Sequence, residues 1–378
     1  TAHSEKDEVY ATFLLNVRTG ATIDLGRPAW DNVEFSPDGK SACWSVPTGG
    51  PWKPAPELVM ADLRGDRPIL RQTGIVLNGP LMDVLVSPHG ERIAYADDQT
   101  VSVLESDSLK SVASFRLPIR TEGRWWLRGH FMSRDLLRLY LMESEEGKEQ
   151  RRNVTILEFS LPAGKLQTTG RIEGLDVLWV RLFPQTERLL VRTAQADGGR
   201  NHYYLCEGRT GARVSEFSQN DPKSFVRAAF LSDGRLVMAE EKGDRAELTL
   251  FSDAGQPLST VDLGEGRRPL LGGEPSPGWL AVSLRPPGKS AWNSGPETFE
   301  PRNLLLVDLS TGRVRRDPGT AGLIPVFDQY YWASDVGSSA APGGVLSRLL
   351  IEKEGGRSTL LELDPASGTR RVIFKSQP

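Results

Sequence analysis

The sequence predicts an all-β protein built from repeated four-stranded antiparallel units. Short apolar or β-branched strands alternate with turns, and no segment shows sustained helical periodicity. Small turn motifs follow these strands at intervals of about 43 to 57 residues, close to the length of four strands with their connections. This repeat predicts a β-propeller, for which seven blades are favoured and eight are the alternative.

The repeated unit is clearest at residues 33–40, VEFSPDGK. Pro37 presets φ for a tight turn, the Asp38 side chain can bond its own backbone, and Gly39 accepts a positive φ. An apolar strand follows at residues 41–46. We therefore expect the end of one strand, a turn, and the start of the next.

Two series of turns set the order of strands in each blade. The first joins strands A and B and occurs at residues 36–39, 87–90, 133–135, 184–186, 232–234, 276–278 and, in a degenerate form, 327–329. The second joins strands C and D and occurs at residues 18–20, 63–65, 106–108, 162–164, 209–211, 253–255, 310–312 and 366–368. Each blade then has the order A, turn, B, loop, C, turn, D.

The N-terminal region stands outside this series. Residues 1–8 are predicted to be a tail, and residues 9–26 a hairpin that completes or flanks the last blade. A ring left open would expose sheet edges, which favours such a closure. We expect residues 1–378 to form a single propeller domain.

The segments FSPDGK at 35–40 and VSPHGE at 86–91 resemble the repeat of TolB-type, WD40-like propellers. The resemblance is weaker at 230–235 and elsewhere rests on spacing. It implies a propeller fold and identifies no particular protein. The Gly-His and Trp-Asp dipeptides of true WD40 repeats are absent at the corresponding positions.

Composition narrows the classes of function. The chain has 378 residues, is 38% hydrophobic and 25% charged, and carries a formal net charge of -3, which argues against a nucleic-acid partner. No apolar run approaches the roughly 20 residues that span a bilayer. Cys43 and Cys206 lie far apart in strand-like runs and are expected to be buried free thiols.

The long connections indicate which face of the propeller functions. The A–B and C–D turns are tight, whereas the B–C and D–A connections are expected to carry the insertions, at 47–56, 73–80, 117–124, 143–151, 194–200, 285–301 and 336–345. Function usually resides in long loops on a rigid scaffold. The candidate binding residues on this face are Trp52, Lys53, Arg120, Glu122, Arg124, Trp125, Trp292 and Phe299. The candidate residues at the mouth of the central channel are Trp30, His130 and Trp179.

Motifs for catalysis are missing. The four histidines are His3, His89, His130 and His202, and no two have the spacing of metal ligands. The sequence has no Gly-x-Ser-x-Gly nucleophile elbow and no Walker A motif. We therefore predict no catalytic residue, no metal and no cofactor.

The favoured function is a non-catalytic propeller that binds a protein, peptide or glycan, as a scaffold, sensor or accessory domain. One alternative is a lactonase- or lyase-like enzyme with a polar or metal site in the channel. Another is a propeller domain of a longer peptidase or membrane-anchored kinase. Because the sequence begins at Thr1 rather than Met, we expect that preceding residues, which could include an export signal or anchor, were removed. A periplasmic or extracellular location is favoured.

Overall fold

The structure is a computed structural model. It describes residues 13–15, 22–24, 34–36, 40–47, 56–65, 69–77, 84–97, 99–119, 125–144, 152–173, 175–183, 186–194, 202–218, 226–231, 233–276, 278–285, 303–316, 324–325, 349–354, 357–363 and 369–375. Within these ranges the chain contains strands and turns and no helix, so no helix there is long and apolar enough to cross a membrane.

The described strands form seven four-stranded antiparallel sheets, called sheets 1 to 7 in chain order, and one separate hairpin. Each sheet runs from its first to its fourth strand without a crossover. The hairpin consists of β1 (Phe13–Leu15) and β2 (Thr22–Asp24). The first strands are β3 (Glu34–Phe35), β7 (Leu85–Val86), β11 (Trp125–Ser133), β15 (Asp176–Phe183), β19 (Val226–Phe230), β23 (Arg267–Ser276) and β27 (Ile324–Pro325).

The remaining strands follow the same order in every sheet. The second strands are β4 (Ser41–Pro47), β8 (Arg92–Asp97), β12 (Leu136–Ser144), β16 (Arg188–Ala194), β20 (Leu236–Lys242), β24 (Trp279–Arg285) and β28 (Leu349–Glu354). The third strands are β5 (Pro56–Asp62), β9 (Thr100–Glu105), β13 (Arg152–Ser160), β17 (His202–Glu207), β21 (Arg245–Phe251), β25 (Asn303–Asp308) and β29 (Arg357–Leu363). The fourth strands are β6 (Ile69–Val76), β10 (Ser111–Arg116), β14 (Lys165–Ile172), β18 (Arg213–Ser218), β22 (Pro257–Glu265), β26 (Val314–Arg316) and β30 (Arg370–Lys375).

These bounds confirm seven sheets among the described residues, with the predicted order of strands. One predicted loop is wrong: residues 336–345 were expected between a second and a third strand, but they fall between β27 and β28, the first and second strands of sheet 7. Sheet 7 draws its four strands from residues 324–375, and β1 pairs with β2. That the hairpin completes or flanks sheet 7 stays a prediction.

The chain divides into two compact units with separate cores. The first contains β1 to β16 and residues 206–213, and the second contains residues 202–205 and the strands from Val214 onward. Apolar side chains of β11 and β12, such as Leu127 and Leu139, form the main core of the first unit. Side chains of β20, β21 and β24 form that of the second. In the first unit, the first strands contact one another in succession, β3 with β7, β7 with β11, and β11 with β15.

The serine of the repeated turn closes the hairpin between the first and second strands. Ser87 is fully buried, and its Oγ accepts a hydrogen bond of 2.9 Å from the backbone N–H of Arg92. Ser36 accepts the equivalent bond from Ser41 at 3.0 Å. Gly90, the equivalent of Gly39 in the second repeat, has a φ of +74°, whereas Gly39 itself lies outside the described residues.

Hydrogen bonds join successive sheets: a side chain on the fourth strand of one sheet donates to the C–D turn of the following sheet. Each of these side chains donates to a backbone carbonyl oxygen, and no turn side chain is required. The contacts within the first unit are Arg71 Nη1 to Ser106 O at 3.3 Å and Thr169 Oγ1 to Arg209 O at 2.8 Å. The equivalent contact in the second unit is Ser215 Oγ to Gly255 O at 3.3 Å.

A buried ion pair adds a second junction between sheets 3 and 4. Arg138 of β12 and Glu158 of β13 lie opposite each other and are joined at 2.7 Å, with 2% and 4% of their side chains exposed. Arg209 in the next C–D turn lies 3.3 Å from Glu158, and Tyr140 donates to the carbonyl oxygen of Gly208 at 3.0 Å. Residues from two strands of sheet 3 and a turn of sheet 4 therefore fix this junction.

Candidate functional site

Antiparallel order gives every sheet two different ends. The A–B and C–D connections leave at one end, called the turn end, and the B–C and D–A connections leave at the other, called the loop end. The longer connections at the loop end are residues 48–55, 77–84, 117–124, 145–151, 195–201, 219–225, 286–302 and 317–323. The short ones are residues 98–99, 173–175, 243–244, 266 and 355–356.

The turn end has one long connection, residues 326–348, and short ones elsewhere. Long connections therefore concentrate at the loop end, although the asymmetry is less complete than the sequence indicates. The asymmetry is reduced because three of the B–C connections at the loop end, β8–β9, β20–β21 and β28–β29, are tight hairpins.

Most of the predicted binding residues belong to connections at the loop end. Trp52, Lys53, Arg120, Glu122, Arg124, Trp292 and Phe299, together with Trp30 before β3, lie outside the described residues. The structure describes Trp125, His130 and Trp179. These three lie on the first strands of sheets 3 and 4.

Trp125 begins β11 at the loop end of sheet 3. It is partly buried and packs against the main core of the first unit. In the β11–β12 ladder it lies opposite Glu143, which is also buried. The side chain therefore anchors the start of β11 to this core.

His130 lies farther along β11, beside two arginines. The alternating face of β11 that carries Leu127 and Phe131 is buried in the core, so Arg128 and His130 lie on the opposite face. Burial, and then the positive charges of Arg181 and Arg128, lower the pKa of His130 to about 4. At neutral pH the imidazole is uncharged and can both donate and accept a hydrogen bond.

The positive charge of Arg181 acts on His130 from β15, the first strand of the next sheet. Trp179 and Arg181 lie on one face of β15, and Trp179 lies opposite Arg192 of β16. The Nε of Arg192 is buried and has no hydrogen-bond partner in the described part of the chain. Arg181 and Arg192 were not among the candidate site residues predicted from the sequence. Arg181 could have been identified from the sequence because it is the single arginine within an otherwise apolar first strand, at residues 179–183.

The described residues offer little for nucleophilic or metal chemistry. No group of three or more His, Cys, Asp or Glu side chains among them could hold a metal ion. Cys43 and Cys206 are both buried thiols that form no disulfide, as predicted. Burial raises the pKa of Cys206 to about 11, so its thiolate form is scarce at neutral pH.

Solved structures with the same arrangement of strands identify the architecture. Dipeptidyl peptidase 4 from Porphyromonas gingivalis superposes with a TM-score of 0.63 at 11% identity, covering 96% of this chain and 58% of that one. The β-propeller domain of the Trilobed protease from Pyrococcus furiosus superposes with a TM-score of 0.51 at 13% identity, covering 83% and 91%. The chain is a β-propeller. Sheets 1 to 7 are its blades, and the first strands are the A strands.

Two other propellers superpose about as well as the Trilobed protease domain. The WD40 domain of SCAP from fission yeast has a TM-score of 0.53 at 10% identity, covering 92% of this chain and 87% of that one. An oligogalacturonate lyase in complex with manganese has a TM-score of 0.50 at 11% identity, covering 93% and 95%. No protein-family model and no curated protein sequence matches the chain. At these identities the likeness establishes the fold alone. This chain spans little more than half of the peptidase.

Proposed function

We propose that this propeller is non-catalytic and binds a protein, peptide or glycan at the loop end of its blades, as a scaffold, sensor or accessory domain. The observation that carries the proposal is the distribution of connections. Eight longer connections leave at the loop end, while the turn end has tight turns and one long segment. Long loops on a rigid scaffold are where binding residues concentrate. The WD40 domain of SCAP shares the propeller fold, and WD40-like propellers commonly bind proteins.

The residues of these connections suit an interface. Trp52 and Trp292 belong to connections 48–55 and 286–302, and Arg124 belongs to 117–124. Tryptophan and arginine are the side chains most enriched among residues that dominate binding energy. A tryptophan offers a large apolar surface with one hydrogen-bond donor, which suits peptide and sugar ligands alike.

The double variant Trp52→Ala/Trp292→Ala tests this proposal. Bound proteins, peptides and glycans would be recovered from a native lysate and from arrays, identified, and then measured individually against purified protein. We expect the variant to weaken binding of an identified ligand at least tenfold, because losing two anchor residues costs about 2 kcal/mol or more. Its melting temperature should stay within about 2 °C of wild type.

A matched control removes exposed apolar side chains elsewhere. Ile69 and Leu258 lie on fourth strands and are 69% and 55% exposed. Ile69→Ala/Leu258→Ala should leave the same affinity unchanged. If the tryptophan variant instead lost several degrees of stability, both tryptophans would belong to the core. If its affinity equalled that of wild type, binding through these connections would be wrong.

A further inference from the structure

Blades 5 and 6 meet at the loop end through two very short connections. The turn between β20 and β21 consists of Gly243 and Asp244, and a single residue, Gly266, connects β22 to β23. Gly243 and Gly266 have φ values of +66° and +152°, which glycine adopts because it has no Cβ. The chain therefore passes from blade 5 to blade 6 with little length to spare.

Three hydrogen bonds join these two segments. The carbonyl oxygen of Asp244 accepts from the backbone N–H of Gly266 at 2.8 Å, and its carboxylate accepts from Arg267 Nε at 2.7 Å. Glu241 Oε2 accepts from the backbone N–H of Arg268 at 2.9 Å. This group, called the loop-end latch, consists of Glu241, Asp244, Gly266, Arg267 and Arg268. Two carboxylates of blade 5 thus hold consecutive residues at the start of blade 6.

Arg268 has a backbone conformation that its own sequence disfavours. Its φ is +49°, where the Cβ of an L-residue approaches the following carbonyl oxygen. The next residue is Pro269, which restricts the conformation of the residue before it. The hydrogen bond from Arg268 N–H to the charged carboxylate of Glu241 stabilises this conformation. Removing that carboxylate should therefore release the start of β23.

The latch lies at the base of a long connection. In the β23–β24 ladder Arg267 lies opposite Arg285, which is the last residue of β24. Residues that lie opposite each other in an antiparallel ladder have Cα atoms about 5 Å apart. The connection 286–302, which contains Trp292, begins at the next residue. A shift of Arg267 therefore displaces the point at which this connection leaves blade 6.

We infer that Glu241 and Asp244 are positioning residues for ligand binding at the loop end. They fix the start of β23 and, through it, the departure of connection 286–302. This inference rests on the proposed binding function and adds the residues that orient one of its two tryptophans. The side chains of Asp244 and Arg267 are 62% and 41% exposed, and exposed ion pairs contribute little to global stability. The latch is therefore suited to setting local geometry.

The test labels the full chain with fluorotryptophan and follows the fluorine NMR resonances of Trp292 and Trp52, each assigned by its loss in a Trp→Phe variant. Asp244→Asn and Glu241→Ala should each move the Trp292 resonance and leave that of Trp52 in place. In Glu241→Ala the amide hydrogen of Arg268 should exchange with solvent about tenfold faster or more, because it loses a charged acceptor. Melting temperatures should stay within about 4 °C of wild type.

Asp262→Asn is the matched control. Asp262 is also an exposed carboxylate of blade 5, but its partner Arg245 belongs to the same blade. This variant should leave the Trp292 resonance at its wild-type position, and Asp244→Glu, which keeps the charge, should move it less than Asp244→Asn does. An unmoved resonance in Asp244→Asn, an equal shift in Asp262→Asn, or a large loss of stability in Asp244→Asn or Glu241→Ala would each overturn the inference.

The proposed function fails separately. If Trp52→Ala/Trp292→Ala binds every identified ligand as wild type does, binding through these connections is wrong, whatever the latch variants show. If that variant loses a ligand while Asp244→Asn and Glu241→Ala keep both the wild-type affinity and the wild-type Trp292 resonance, binding at the loop end stands and the positioning role is wrong.

Discussion

Replacing His130 by glutamine should remove a large part of the pH dependence of stability in mildly acidic solution. In the folded protein burial, Arg181 and Arg128 lower the pKa of His130 to about 4, against 6.5 in the unfolded chain. Between these pH values the unfolded chain binds a proton that the folded protein does not. Stability is therefore fully present above pH 6.5 and falls as the pH drops toward 4.

The size of this effect follows from the two pKa values. They differ by about 2.5, and each pH unit corresponds to about 1.4 kcal/mol; because half of the folded protein is itself protonated at His130 at pH 4, wild type should lose about 3 kcal/mol relative to His130→Gln by that pH. The groups that face His130 are Arg128, Arg181 and, across the ladder, Arg138 with its partner Glu158. The arginines remain charged throughout this range, so they do not themselves make the free energy of unfolding depend on pH.

Chemical unfolding from pH 7.5 to pH 4 measures the difference between wild type and variant. His89→Gln serves as the control, because His89 is exposed on a turn between β7 and β8. We expect the difference between wild type and His130→Gln to grow as the pH falls. A difference that stays constant to within about 0.5 kcal/mol would refute the burial of an uncharged imidazole between two arginines.

Two further changes test the junctions between blades. Glu158→Gln should destabilise the protein by about 3–5 kcal/mol in chemical unfolding, because it leaves Arg138 buried without its charged partner. Asp262→Asn, which breaks an ion pair exposed on β22, should cost less than about 1 kcal/mol, and an equal loss in both would contradict the role of burial. Gly170→Ala should lower the melting temperature by several degrees, because the new Cβ would lie 2.1 Å from the carbonyl oxygen of Thr210. An unchanged melting temperature would show that blades 3 and 4 are not in close contact there.

The blades could be predicted from the sequence because turn chemistry is local. Gly164, Gly211, Gly255 and Gly312, the last residues of four predicted C–D turns, all adopt a positive φ. Leu109 adopts the same conformation, with a φ of +56°, in the turn that lacks glycine. A conformation fixed by neighbouring residues can be inferred from a short stretch of sequence.

The errors have different physical causes. The motif at 327–329 lacks proline and glycine, so its place in the blade was assigned by spacing, and the connection 326–348 proved to be at the turn end. Arg181 was overlooked because its neighbours His130 and Arg128 come from another blade. Contacts between residues about 50 positions apart follow from tertiary packing, which a local pattern does not encode.

The hydrogen bonds from Arg71, Thr169 and Ser215 to carbonyl oxygens have a consequence for how the repeats can change. Every amino acid supplies the same backbone acceptor, so a turn can exchange its side chains and still be held by the preceding blade. Selection then acts on turn shape and spacing, while residue identity drifts. A blade should for the same reason be transferable between propellers, provided that its turns keep their backbone conformation.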